Sequence, residues 1–71
     1  MSKLYSSKEI EKVLLKLAFR SVSQKGSHAK FKNDRGKTVM LVMNKKEIPI
    51  GTFKSILKQA ELTQQQFEDL I

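Results

Sequence analysis

The apolar residues of this 71-residue chain change period twice, and that change limits the folds open to it more than any other feature. Ile10, Val13, Leu14 and Leu17 fall at i, i+3, i+4 and i+7, the spacing of one helix face, with Lys8, Glu9, Glu11, Lys12 and Lys16 around the remainder. From Phe19 the pattern switches to every second residue. Phe19, Ser21 and Ser23 alternate with Arg20, Val22 and Gln24, and then Ala29 and Phe31 alternate with His28, Lys30 and Lys32. Thr38 to Met43 is apolar on both faces, which predicts the most buried strand. Helical spacing returns at Phe53, Ile56, Leu57 and Ala60.

Local signals mark the boundaries. Ser6-Ser7-Lys8-Glu9 is a capping-box pattern, so the first helix is expected over about residues 7 to 18. Lys25-Gly26-Ser27 and Asn33-Asp34-Arg35-Gly36 supply turns between strands. Asn44-Lys45-Lys46-Glu47 reads as a charged loop, continued by Ile48-Pro49-Ile50-Gly51, with Thr52 expected to cap the second helix. Thr63-Gln64-Gln65-Gln66 is a second capping box, leading into a short terminal turn with Phe67, Leu70 and Ile71 on its apolar side. The expected fold is α+β: an α-β-β-β-α two-layer sandwich over residues 1–71, a three-stranded antiparallel sheet with both main helices on one face. The same order occurs in double-stranded-RNA-binding domains, an analogy that does not by itself assign a function.

A core of this size typically supplies only ~3–5 kcal/mol, and with no cysteine there is no disulfide, thiolate metal site or cysteine nucleophile to add to it. The absence of cysteine fits a reducing cytoplasm. The start of the chain, Met1 to Ser7, has no apolar run, and the longest such run is Val39 to Met43, so neither a signal segment nor a membrane span is expected. Fourteen Lys and Arg against seven Asp and Glu give +7, a balance that attracts polyanions. Ten of those bases lie in residues 20 to 60 against only Asp34 and Glu47, while Glu61, Glu68 and Asp69 leave the last segment acidic. The one-sided clustering points to a phosphate-binding surface, the plainer reading being lysines that solvate a small sheet. Four of the five aromatics, Tyr5, Phe19, Phe31, Phe53 and Phe67, fall on core faces, so a base-stacking platform is not expected.

His28 is the sole imidazole, the side-chain type whose ordinary pKa of ~6.5 suits proton transfer near neutrality. Alone on a strand a histidine is more often a solvated or hydrogen-bonded bystander than a catalyst, and Asp34 and Glu47 are not spaced to join it as metal ligands; neither a metal nor a cofactor is expected.

At Gly26-Ser27-His28, followed by the aromatic Phe31, the sequence resembles the HicA family of toxin ribonucleases from type II toxin–antitoxin pairs. The resemblance covers nearly the whole chain. It runs from the first helix through Leu14, Leu17 and Phe19 to Gln24-Lys25-Gly26-Ser27-His28, and closes on Gly51-Thr52-Phe53 with Ile56-Leu57-Lys58-Gln59-Ala60. Two departures stand out: Ala18 where family members often carry glycine, and Met43-Asn44 where they often carry a Pro-His step. Lacking the second histidine, the chain cannot inherit a two-histidine acid/base scheme.

The resemblance implies a cytoplasmic mRNA interferase, monomeric when free, that a HicB-type antitoxin holds inactive by covering the histidine. His28 would be the catalytic residue of a metal-free cleavage, with Lys30 and Lys32 on its strand face as preferred phosphate contacts, Lys25 beside it, and Arg35 and Lys37 behind. Gly26 would permit a tight turn close to phosphate, and Ser27 would orient His28 or a phosphate oxygen unless it serves the turn alone. The proton donor to the leaving 5′-oxygen is open among water, a lysine and His28 itself. Two other readings stand beside this one. The first is a non-catalytic double-stranded-RNA-binding module using Lys54 and Lys58 at i and i+4. The second is a basic docking face for an acidic protein partner.

Overall fold

A computed structural model describes residues 3–71, which form six elements: α1 (Ser7–Lys16), β1 (Arg20–Lys25), β2 (His28–Lys32), β3 (Thr38–Val42), α2 (Ile50–Ala60) and α3 (Gln64–Leu70). Met1 and Ser2, part of the polar start of the chain, lie outside the described residues. The strands form one antiparallel sheet in the order β1-β2-β3. Helices α1 and α2 pack on β3, and α3 packs on α1. The fold is the expected α+β sandwich with a short third helix.

Both capping boxes form. Ser6 Oγ accepts from the Glu9 amide at 3.1 Å while Glu9 Oε1 accepts from the Ser6 amide at 2.9 Å, and Thr63 and Gln66 repeat the exchange at α3. The Ser6 amide holds the Glu9 carboxyl below its ordinary pKa, assisted by Lys3 Nζ at 3.4 Å. Helix α1 ends at Lys16, two residues short of expectation. There the Phe19 amide donates to Leu14 O and the Ala18 amide to Leu15 O, a Schellman turn that puts Ala18 at φ +66°. The left-handed position suits glycine, and alanine is strained there.

Helix α2 departs from expectation at its start. It begins at Ile50 with Pro49 as N-cap, so Ile50 and Gly51 belong to its first turn, and Thr52 is not the cap. Pro49 has the extended backbone an N-cap needs, and its carbonyl accepts from the Phe53 amide at 2.9 Å, so no side-chain cap is used.

The core is built from Ile10, Val13 and Leu14 of α1, Ala29 and Phe31 of β2, Val39 and Leu41 of β3, and Phe53, Ile56, Leu57 and Ala60 of α2. Each fully buried Leu, Val, Ile or Phe side chain contributes about 1.5–3 kcal/mol through surface removed from water. All five aromatics are buried, including Tyr5, whose ring lies 5.1 Å from Phe53 and 4.8 Å from Phe67. Burial, then the neighbouring Glu68 carboxylate, pushes the Tyr5 phenol above its ordinary pKa.

Strand β3 is the most buried of the three strands, as expected: Val39 and Leu41 point into the core, while Met40 is 46% exposed because both helices cover the same face and the other is open. The sheet corrects one expectation: the alternation read from Phe19 breaks at Val22. Ser21 pairs with Phe31 and Ser23 with Lys30, so Val22 is the extra residue of a β-bulge and is 54% exposed. Strand β1, exposed along its whole length, is the uncovered edge. The β3 edge is partly closed by Gln59 of α2, whose Oε1 accepts the Met40 amide at 3.0 Å.

Candidate functional site

The open face of the sheet is where the candidate residues meet. On β2, Ala29 and Phe31 are in the core, so His28, Lys30 and Lys32 project from the opposite face and are exposed. Antiparallel pairing builds rows across that face: Lys25, His28 and Val42; Ser23, Lys30 and Met40; Arg20, Lys32 and Thr38.

His28 opens β2 directly after a two-residue turn. Lys25 pairs with His28, leaving Gly26 and Ser27 as the loop, with Gly26 at φ +60° and Ser27 at negative φ, the pattern of a type II′ hairpin. A Cβ on Gly26 would meet nothing within 4 Å, so glycine is required by backbone conformation and not by space. Gln24 Nε2 donates to Gly26 O at 3.0 Å, and the Met43 amide donates to Ser27 O at 2.6 Å. The turn is therefore tied to both neighbouring strands, which fixes the position of His28.

A second tether holds the loop after β3 at the same end of the sheet. Ser7, 1% exposed, donates from Oγ to Val42 O at 2.6 Å and accepts from the Lys45 amide at 3.0 Å, while its own amide donates to Lys45 O at 2.9 Å. Val42 is the residue opposite His28. The structure thus adds Lys45 and Lys46 to the His28 end. The sequence shows them only as a charged loop, and Ser7 only as part of a cap, because the bridge joins residues 35 and more apart.

Arg35 and Lys37 are not part of this group. Lys32 is four residue steps along the strand from His28, about 13 Å at ~3.3 Å per step, and the turn carrying Arg35 and Lys37 lies beyond Lys32. Asn33 Oδ1 organises that turn by accepting the Arg35 and Lys37 amides, and Gly36 adopts φ +81°. Lys37 Nζ is ion-paired with Glu61, and Arg20 with Asp34 at 3.1 Å. By contrast, among the described residues Lys8, Lys25, Lys30, Lys32, Lys45 and Lys46 have no acidic partner.

The chemistry available here is that of one imidazole on a cationic face. Among the described residues there is no group of three or more His, Cys, Asp or Glu side chains that would hold a metal ion, and no helix is long and apolar enough to cross a membrane. No curated protein matches the chain. A family model described as the HicA toxin of bacterial toxin–antitoxin systems matches residues 7–62, a span that includes both helices of the sandwich, the Gly26-Ser27-His28 turn and the loop tethered by Ser7. The chain therefore belongs to the HicA toxin family.

Proposed function

We propose that this toxin is a metal-independent endoribonuclease that cleaves mRNA with His28 as its general acid/base, and that a HicB-type antitoxin neutralises it by covering the same face. HicA toxins generally cleave mRNA and pair with HicB antitoxins. The observation that carries the reading is the position of His28: exposed, at a turn tied to both neighbouring strands, and surrounded by lysines that the chain itself leaves unpaired among the described residues.

In the proposed reaction the His28 imidazole takes the proton of a ribose 2′-hydroxyl, and the 2′-oxygen forms a bond to the adjacent phosphorus as the bond to the 5′-oxygen breaks. The imidazolium then returns a proton to the departing 5′-oxygen. The products are a 2′,3′-cyclic phosphate and a 5′-hydroxyl. Lys25 and Lys30, beside His28 in the sheet, stabilise the charge that builds on the phosphorane oxygens. Lys32 holds the strand farther along, Gly26 allows the backbone to approach it, and the Ser27 hydroxyl orients a phosphate oxygen. Arg35 and Lys37, at the far end, are at most distal contacts, and Lys37 is already neutralised by Glu61. The need for a 2′-hydroxyl nucleophile selects RNA over DNA without base-reading side chains.

The test is incubation of the chain and its His28→Ala variant with labelled single-stranded RNA in EDTA at low salt. Cleavage by the parent that falls at least ~100-fold in the variant, with RNA retention unchanged, supports the assignment. Intact RNA in both lanes with equal retention overturns it and leaves a binding module.

A further inference from the structure

Between the first turn of α1 and residues 43–46 lies a groove of about 540 Å³, a size that ordinary ligand sites share. Its walls carry Lys8, Lys45 and Lys46, the half-buried Met43, the amide side chain of Asn44, and a single carboxylate, Glu11. None of the three lysines is ion-paired among the described residues. The groove is one hydrogen bond from the Gly26-Ser27-His28 turn, since the Met43 amide donates to Ser27 O. The amides of the α1 terminus are not the attraction, because those of Ser7, Glu9 and Ile10 already have acceptors. The cations are.

Resting on the reading of His28 as the cleaving residue, we propose that this groove holds the nucleotide next to the scissile phosphate, with Lys8, Lys45 and Lys46 on its phosphate and Met43 and Asn44 against its base. The RNA strand then runs from Lys32 and Lys30, past His28, into the groove. Phosphates are gripped on both sides of the bond that breaks, which places cleavage inside a strand and not at its end. Ser7 keeps this arrangement in register: its hydroxyl bridges Val42, opposite His28, to the Lys45 backbone, so the loop lysines and the imidazole are held by one buried side chain. Asn44, in the groove wall, sits at φ +63°, a conformation asparagine tolerates better than most residues.

The experiment uses the full chain carrying His28→Ala, so that RNA survives, and follows fluorescence anisotropy of labelled single-stranded RNA between 50 and 200 mM salt. For a single strand, every phosphate that no longer meets a lysine lowers the slope of log affinity against log salt by ~0.7. Adding Lys8→Ala, Lys45→Ala and Lys46→Ala together removes that one phosphate contact and is expected to lower the slope by ~0.7 and to leave the thermal midpoint unchanged. RNA shortened from one end only, past the cleavage position, should abolish the difference between the two proteins, whereas shortening from the other end should preserve it. Equal affinity and slope in the two proteins overturns the groove while leaving the site at His28 intact. Failure of the His28→Ala chain to bind RNA at all overturns the ribonuclease reading, and the groove with it.

Discussion

Both ends of the sheet are cationic, but they dispose of their charge differently. At the end where β2 finishes, Arg20 is paired with Asp34 and Lys37 with Glu61, and Asn33 ties the turn together. At the end where β2 begins, Lys25, Lys45 and Lys46 have no carboxylate partner among the described residues, and the hydrogen bonds go instead to the backbone that positions His28. Exposed ion pairs add little to stability, but they cancel the field that would draw in a polyanion. Charge at the far end is partly neutralised within the chain, with Lys32 and Arg35 left without a carboxylate partner among the described residues; charge at the His28 end is available to a partner.

Lysine substitutions should break this comparison most visibly. Lys25→Ala with Lys30→Ala removes the contact to the scissile phosphate and is expected to lower the salt slope of RNA binding by ~0.7, while Lys37→Ala, which also frees Glu61, leaves it nearly unchanged. Equal effects, measured by anisotropy across a salt series, would mean that the two ends bind RNA alike.

The two turn glycines sharpen the contrast at the next level. Gly26→Ala and Gly36→Ala each place a side chain at positive φ without a steric clash, so each should cost about 1–2 kcal/mol in urea unfolding. Only Gly26→Ala should also slow RNA cleavage beyond what its unfolded fraction explains, because it moves the residue before Ser27 and His28. Equal loss of activity per folded molecule in both variants would detach the turn from the chemistry.

Ala18→Gly acts on the frame that both ends share. Relief of the left-handed alanine at the end of α1 should raise stability by about 0.5–1 kcal/mol and the thermal midpoint by a few degrees, with RNA binding unchanged. A lower midpoint would show that the turn is not strained.

That position shows how legibility in the sequence divides. The periodicity switch places every element within a few residues, and both capping boxes form as written, because these signals are local and each rests on residues three or four apart. Gly26-Ser27 likewise carries its own hairpin. What the sequence conceals depends on neighbours far along the chain. The bulge at Val22 follows from pairing with β2, and Thr52 loses the capping role because Pro49 offers a suitable backbone earlier. The separation of Arg35 and Lys37 from His28, and the arrival of Lys45 and Lys46 beside it, are consequences of strand direction and of the Ser7 bridge.

The smallest expected effect is on acid stability. Glu9 is held below its ordinary pKa by the Ser6 amide, so its contribution is complete above the unfolded carboxylate range and is lost as pH falls through the depressed folded value. Urea midpoints measured from about pH 5 downward should therefore fall less steeply in Glu9→Ala than in the parent. Parallel curves would remove Glu9 from the acid transition.

The most direct test of the central claim is the chemical identity of the ends left when the parent chain meets RNA in EDTA. A histidine that activates the 2′-hydroxyl predicts 2′,3′-cyclic phosphate and 5′-hydroxyl ends at internal positions. Products ending in 3′-hydroxyl and 5′-phosphate, or RNA left whole by a folded protein that binds it, would contradict the account.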